Sequence, residues 1–73
     1  MIKEILLLKT CLHNYNDIQR MSVVLSNNPR IASWNIDLDD IDKILRIKSK
    51  GLKVGDIIGL LRETDIWSEE LLD

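Results

Sequence analysis

Residues 31–50, Ile31-Ala-Ser-Trp-Asn-Ile-Asp-Leu-Asp-Asp-Ile-Asp-Lys-Ile-Leu-Arg-Ile-Lys-Ser-Lys50, read as a β-hairpin. Ala32, Trp34, Ile36 and Leu38 alternate with Ser33, Asn35, Asp37 and Asp39, the period-two pattern of a strand with one buried face. Ile44, Leu45, Arg46 and Ile47 make a second run suited to a strand, and Asp39, Asp40 and Asp42 supply turn chemistry between the two.

The segments on either side arrange themselves around this pair. Upstream, Ile5, Leu6, Leu7 and Leu8 form a short unbroken apolar run within residues 3–10, as expected of a central strand with apolar neighbours on both faces. Residues 11–15 lack periodicity and read as a loop. Asn16 is the expected N-cap of a first helix, with Gln19 three residues on and Asp17 in the first turn. Ile18, Met21, Ser22 and Leu25 share one helical face, with Val24 beside them, and Asn27-Asn28-Pro29 ends the helix. Downstream of the hairpin, Val54, Ile57, Ile58 and Leu61 place a second helix over about residues 53–64. Ile66, Trp67 and Leu71, interleaved with Ser68, Glu69 and Glu70, suggest an acidic edge strand.

The order β-α-β-β-α-β predicts an α+β, ferredoxin-like split sandwich: a four-stranded antiparallel sheet with two helices on one face. At 73 residues the chain is expected to form a single domain over 1–73, near the lower size limit for a core without staples. A net charge of −2 gives no electrostatic footprint for nucleic acid, and the apolar strands carry no aromatic stacking platform. Ile5–Leu8 is too short for a signal or spanning segment, and a lone Cys11 suits a reducing compartment, so a cytoplasmic protein is expected.

Residues 27–38 and Val54-Gly-Asp-Ile-Ile-Gly-Leu-Leu61, followed by Thr64-Asp65-Ile66, resemble the hairpin approach, second helix and closing turn of the heavy-metal-associated domain of copper chaperones and metal-transporting ATPases. The resemblance implies a soft-metal site at a Cys-x-x-Cys between the first strand and first helix. Counting back from Pro29, those positions fall near Asn14 and Asp17, and neither is a thiol. Leu12 stands where the family has a methionine, Asp65 near a customary glycine, and Ile66 in place of an aromatic. The resemblance thus implies the family's fold without its cysteine pair.

The expected function is a small non-enzymatic binding or accessory module, acting through protein contacts or as a homodimer, without nucleic acid, membrane or cofactor. The alternative is a Cu(I) or Zn(II) chaperone with a divergent site at Cys11 and His13, although two ligands do not complete a metal site. The aspartates 37, 39, 40 and 42 do not fit a calcium loop: Ile41 stands at a ligand position and Lys48 where a bidentate Glu is needed. No nucleophile or phosphate-cradling loop accompanies them, so no enzyme is expected.

Trp34, Ile44, Arg46 and Trp67 are the candidate partner-binding residues, the tryptophans being equally suited to packing on the sheet. One surplus remains. Helices cover only one face, yet both parities of the first and third strands are apolar. Either Ile5 with Leu7 or Leu6 with Leu8 must therefore point away from the helices, together with Ile44 or Leu45, in a patch rimmed by Lys9, Arg46 and Lys48.

Overall fold

A computed structural model describes residues 4–71. The elements are β1 (Glu4–Cys11), α1 (Tyr15–Ser26), β2 (Ile31–Asp37), β3 (Ile44–Ser49), α2 (Val54–Arg62) and β4 (Trp67–Glu70). The sheet is antiparallel in the order β2-β3-β1-β4. This is the expected ferredoxin-like arrangement, with β1 central, the 31–50 hairpin on one side and the acidic β4 at the other edge.

The β1–β3 ladder decides which side chains are buried. Leu6 lies opposite Ile47 and Leu8 opposite Leu45, and these four face the helices. Met21 and Leu25 of α1, Ile57 and Leu61 of α2, and Leu52 and Ile66 close over them as one core. The intervening pairs, Ile5 with Lys48, Leu7 with Arg46 and Lys9 with Ile44, take the opposite, helix-free face. The surplus is thereby resolved: Ile5, Leu7 and Ile44 point away from the helices. This corrects the expectation of apolar neighbours on both faces of β1, since its second parity meets solvent and Ile5 is 58% exposed.

The hairpin deviates from strict alternation at both ends. Trp34 and Ile36 pack against the core, but Ala32 is the extra residue of a bulge between Ile31 and Ser33, and Leu38 lies in the turn; both are exposed. Ile31, brought opposite Ser49 by the bulge, packs inward instead. The turn aspartates act as turn chemistry. Asp37 Oδ1 accepts from Asp39 N at 3.1 Å, and Asp40 Oδ1 accepts from Asp42 N at 2.8 Å.

Helix α2 begins with Lys53 N donating to Asp56 Oδ2 at 2.9 Å. It closes in a Schellman pattern: Asp65 N donates to the Arg62 carbonyl and Ile66 N to the Leu61 carbonyl, both at 3.0 Å. Asp65 holds the left-handed conformation this requires, with φ of 63°, and the buried pair Leu61 and Ile66 supplies the apolar contact. A customary glycine position is thus filled by a residue type that tolerates it.

Parity in β1 has a measurable consequence. Leu8→Ala should cost about 2–5 kcal/mol, a large share of the roughly 4–10 kcal/mol available to a chain of this size. Ile5→Ala, three positions away on the open face, should cost less than about 1 kcal/mol. Urea denaturation followed by circular dichroism measures both, and equal costs would contradict the burial pattern.

Candidate functional site

Two places merit attention: the β1–α1 junction, where the resemblance puts the family's chemistry, and the helix-free face of the sheet.

At the junction the helix starts two residues earlier than the sequence suggests, because Asn14 rather than Asn16 is the N-cap. Asn14 has extended backbone angles, and its Oδ1 accepts from Asp17 N at 3.1 Å. Asp17 reaches back to accept from His13 N through Oδ2 at 2.8 Å, and its Oδ1 pairs with the Arg20 guanidinium. Two helix-terminal or flanking N–H groups are therefore satisfied by a reciprocal pair of side chains, in the manner of a capping box. Asp17 is buried, and the His13 N–H bond, followed by the charge of Arg20, holds its carboxyl below the ordinary value of 3.8 against the opposing effect of burial. The sequence carried this signal in the Asn14-x-x-Asp17 and Asp17-x-x-Arg20 spacings, which the rival pair Asn16 and Gln19 obscured.

Asn14 and Asp17 are also the residues near which, counting back from Pro29, the resemblance places its two cysteines. Here they cap the helix. Leu12 is partly buried against the core, a packing role that suits its place below the loop. Cys11 and His13 are both exposed, with Sγ and Nε2 3.5 Å apart. Among the described residues no third histidine, cysteine or carboxylate joins them in a group able to hold a metal ion.

The helix-free face gathers other candidates. Across it run Ser33, Lys48 and Ile5; then Asn35, Arg46 and Leu7; then Asp37, Ile44, Lys9 and Glu69; and finally Cys11 with Trp67. Leu71 N donates to the Leu7 carbonyl, and Leu7, Ile44, Arg46 and Leu71 line one depression with Asn35, Asp37 and Asp40. Trp67 is 60% exposed, with the Arg62 guanidinium 5.8 Å from its ring centroid. The structure thus brings Ile44, Arg46 and Trp67 to one face. Trp34 is not with them: it lies opposite Ile47 on the helix side, beside α1. Tyr15, expected in the loop, is instead the exposed first residue of α1, and Val23, which carried no periodic signal, is exposed on the same helix away from its core stripe.

No protein-family model matches the chain, and no curated protein sequence does at a significant level. Its fold does match solved structures. One is the yeast copper transporter domain CCC2A, determined in solution in apo and Cu(I)-loaded states, with a TM-score of 0.79 over 99% of each chain at 11% identity. At that identity the likeness establishes the fold alone, the ferredoxin-like arrangement described above. No helix among the described residues is long and apolar enough to cross a membrane.

The cap makes two predictions. Asn14→Ala should lower stability by about 1 kcal/mol. Asp17→Asn should be less stable than wild type at neutral pH. Because the folded carboxyl titrates below its unfolded value, its contribution is present above about pH 4 and disappears as pH falls through the folded value. Thermal melts at pH 7 and near pH 2.5 should therefore show the gap between wild type and Asp17→Asn closing in acid.

Proposed function

We propose that this chain is a non-enzymatic binding module on the heavy-metal-associated fold, in which helix capping has replaced metal ligation and a protein partner docks on the open sheet face. The observation that carries this reading is the use of Asn14 and Asp17. Both side chains are engaged by backbone N–H groups, and Asp17 also by Arg20. An oxygen acceptor pair so engaged offers little to a soft ion that favours thiolates.

The open face supports the second half of the reading. Ile5, Leu7, Ile44, Trp67 and Leu71 give it apolar area that the fold does not need for its own core. Lys9, Arg46 and Lys48 stand there on the two central strands, with Asp37, Asp40 and Glu69 towards the turn and the edge, so the cations lie nearest the apolar side chains. A partner presenting an apolar centre with an acidic rim fits it.

The approach of Cys11 Sγ to His13 Nε2 favours a second reading, in which a thiolate and an imidazole hold Cu(I) or Zn(II) with ligands from another molecule. A competition titration separates the two. Under reducing conditions the wild-type chain should fail to withhold Cu(I) from a colorimetric chelator, as should Cys11→Ser. Tight copper binding by wild type, lost in Cys11→Ser, would replace the first reading with the second. The docking half is tested by cross-linking capture: proteins retained by wild type should be lost with Leu7→Glu and Ile44→Glu, and retention by both variants would contradict it.

A further inference from the structure

From the α1–β2 edge we infer that this chain forms a two-fold homodimer by pairing β2 with β2 of a second copy, extending the sheet to eight strands. This inference is independent of the docking surface proposed above, which lies on a different face.

The two sheet edges differ. β4 is four residues long and carries Glu69 and Glu70, so pairing it with itself would set acidic residues close together. β2 is seven residues long, has no proline or lysine, and carries no charge from Ile31 to Ile36. The helix alongside continues this neutrality. Asp17 and Arg20 are the only charged residues of α1, and they pair with each other. In a chain with 30% charged residues, the middle of this flank, between Arg30 and Asp37, is thus free of unpaired charge, the composition expected at the centre of an interface.

That flank is also apolar. Tyr15 is 64% and Val23 60% exposed, and between α1 and β2 lies a groove of about 470 Å³ lined by Tyr15, Ile18, Gln19, Ser22, Val23 and Trp34. Isolated exposed residues of this kind need no explanation, but these flank a free strand edge.

Charge and register select a second copy as the occupant. The hairpin is polarised. Its open end holds Arg30, whose carbonyl accepts from Lys50 N at 2.8 Å, and its turn holds Asp37, Asp39, Asp40 and Asp42. Antiparallel self-pairing sets each basic end against the acidic turn of the other copy. Beyond the bulge at Ala32, the regular ladder spans Ser33 to Asp37. A two-fold axis at Asn35 uses all five of these residues. It puts Trp34 opposite Ile36 of the second copy on the helix side and Ser33 opposite Asp37 of the second copy on the open side, with no like charges opposed. Residues of matching parity face each other, so the helices of both copies lie on one side of the joint sheet, their α1 helices antiparallel at the seam.

Sedimentation equilibrium of the purified chain, from low micromolar to near-millimolar concentration, tests this. The expected result is a species of twice the 8.5 kDa protomer mass that dissociates with added salt. Val23→Glu and Arg30→Glu should each raise the dissociation constant roughly tenfold or more, with unchanged circular dichroism melts at concentrations where the protein is monomeric. A monomer throughout, or a dimer left intact by both substitutions, overturns the inference. So does a dimer dissociated instead by Leu7→Glu, which would assign association to the open face.

Discussion

The register between β1 and β3 is the constraint on which the rest of the structure depends. With Leu6 opposite Ile47 and Leu8 opposite Leu45, four large apolar side chains form one layer beneath the helices. Both strands are apolar in both parities, so alternation alone does not choose between the two faces. The neighbours make the choice. On β3, Arg46 and Lys48 exclude one parity from the core; on β1, Lys9 does the same, and the pairing then commits Ile5, Leu7 and Ile44 to the open side. The core and the exposed apolar face are two results of one decision.

The β1–α1 junction obeys a second constraint, that the first N–H groups of a helix must find acceptors. Asn14 and Asp17 meet it together, three residues apart, close to where the sequence resemblance to heavy-metal-associated domains would put two thiols. The same backbone geometry that brings two side chains together at a helix start suits either a cap or a soft-metal site, and the chemistry of the side chains decides between them. This chain has oxygen acceptors there, and one of them is further held by Arg20. Likeness of fold to a copper transporter domain therefore does not extend to likeness of ligand set at these positions.

Much of the architecture was legible in the sequence because its signals were periodic. The alternation of Trp34 and Ile36 and the helical spacing of Met21 and Leu25, and of Ile57 and Leu61, were sufficient to order the elements and to name the helices' share of the core. Other features lacked a periodic signal. The bulge at Ala32 arises from pairing with β3, a non-local fact. The true N-cap was hidden by two asparagines in the same loop, and only the position of Asp17 relative to His13 and Arg20 distinguishes them. Trp34 and Trp67 were indistinguishable as residues, yet register sends them to opposite faces. The apolar surplus of β1 and β3 was legible as such, but which of its side chains form the open face was decided only by the register between the two strands.

The most direct test of the central claim restores the thiols. Asn14→Cys combined with Asp17→Cys puts a Cys-x-x-Cys at the start of α1 without altering the core. If the cap occupies a position whose geometry still suits a soft metal, this variant should hold Cu(I) against a colorimetric chelator under reducing conditions while being less stable than wild type in the apo state. Failure of a folded double variant to take copper would contradict the claim that Asn14 and Asp17 stand at the metal-binding position of the fold.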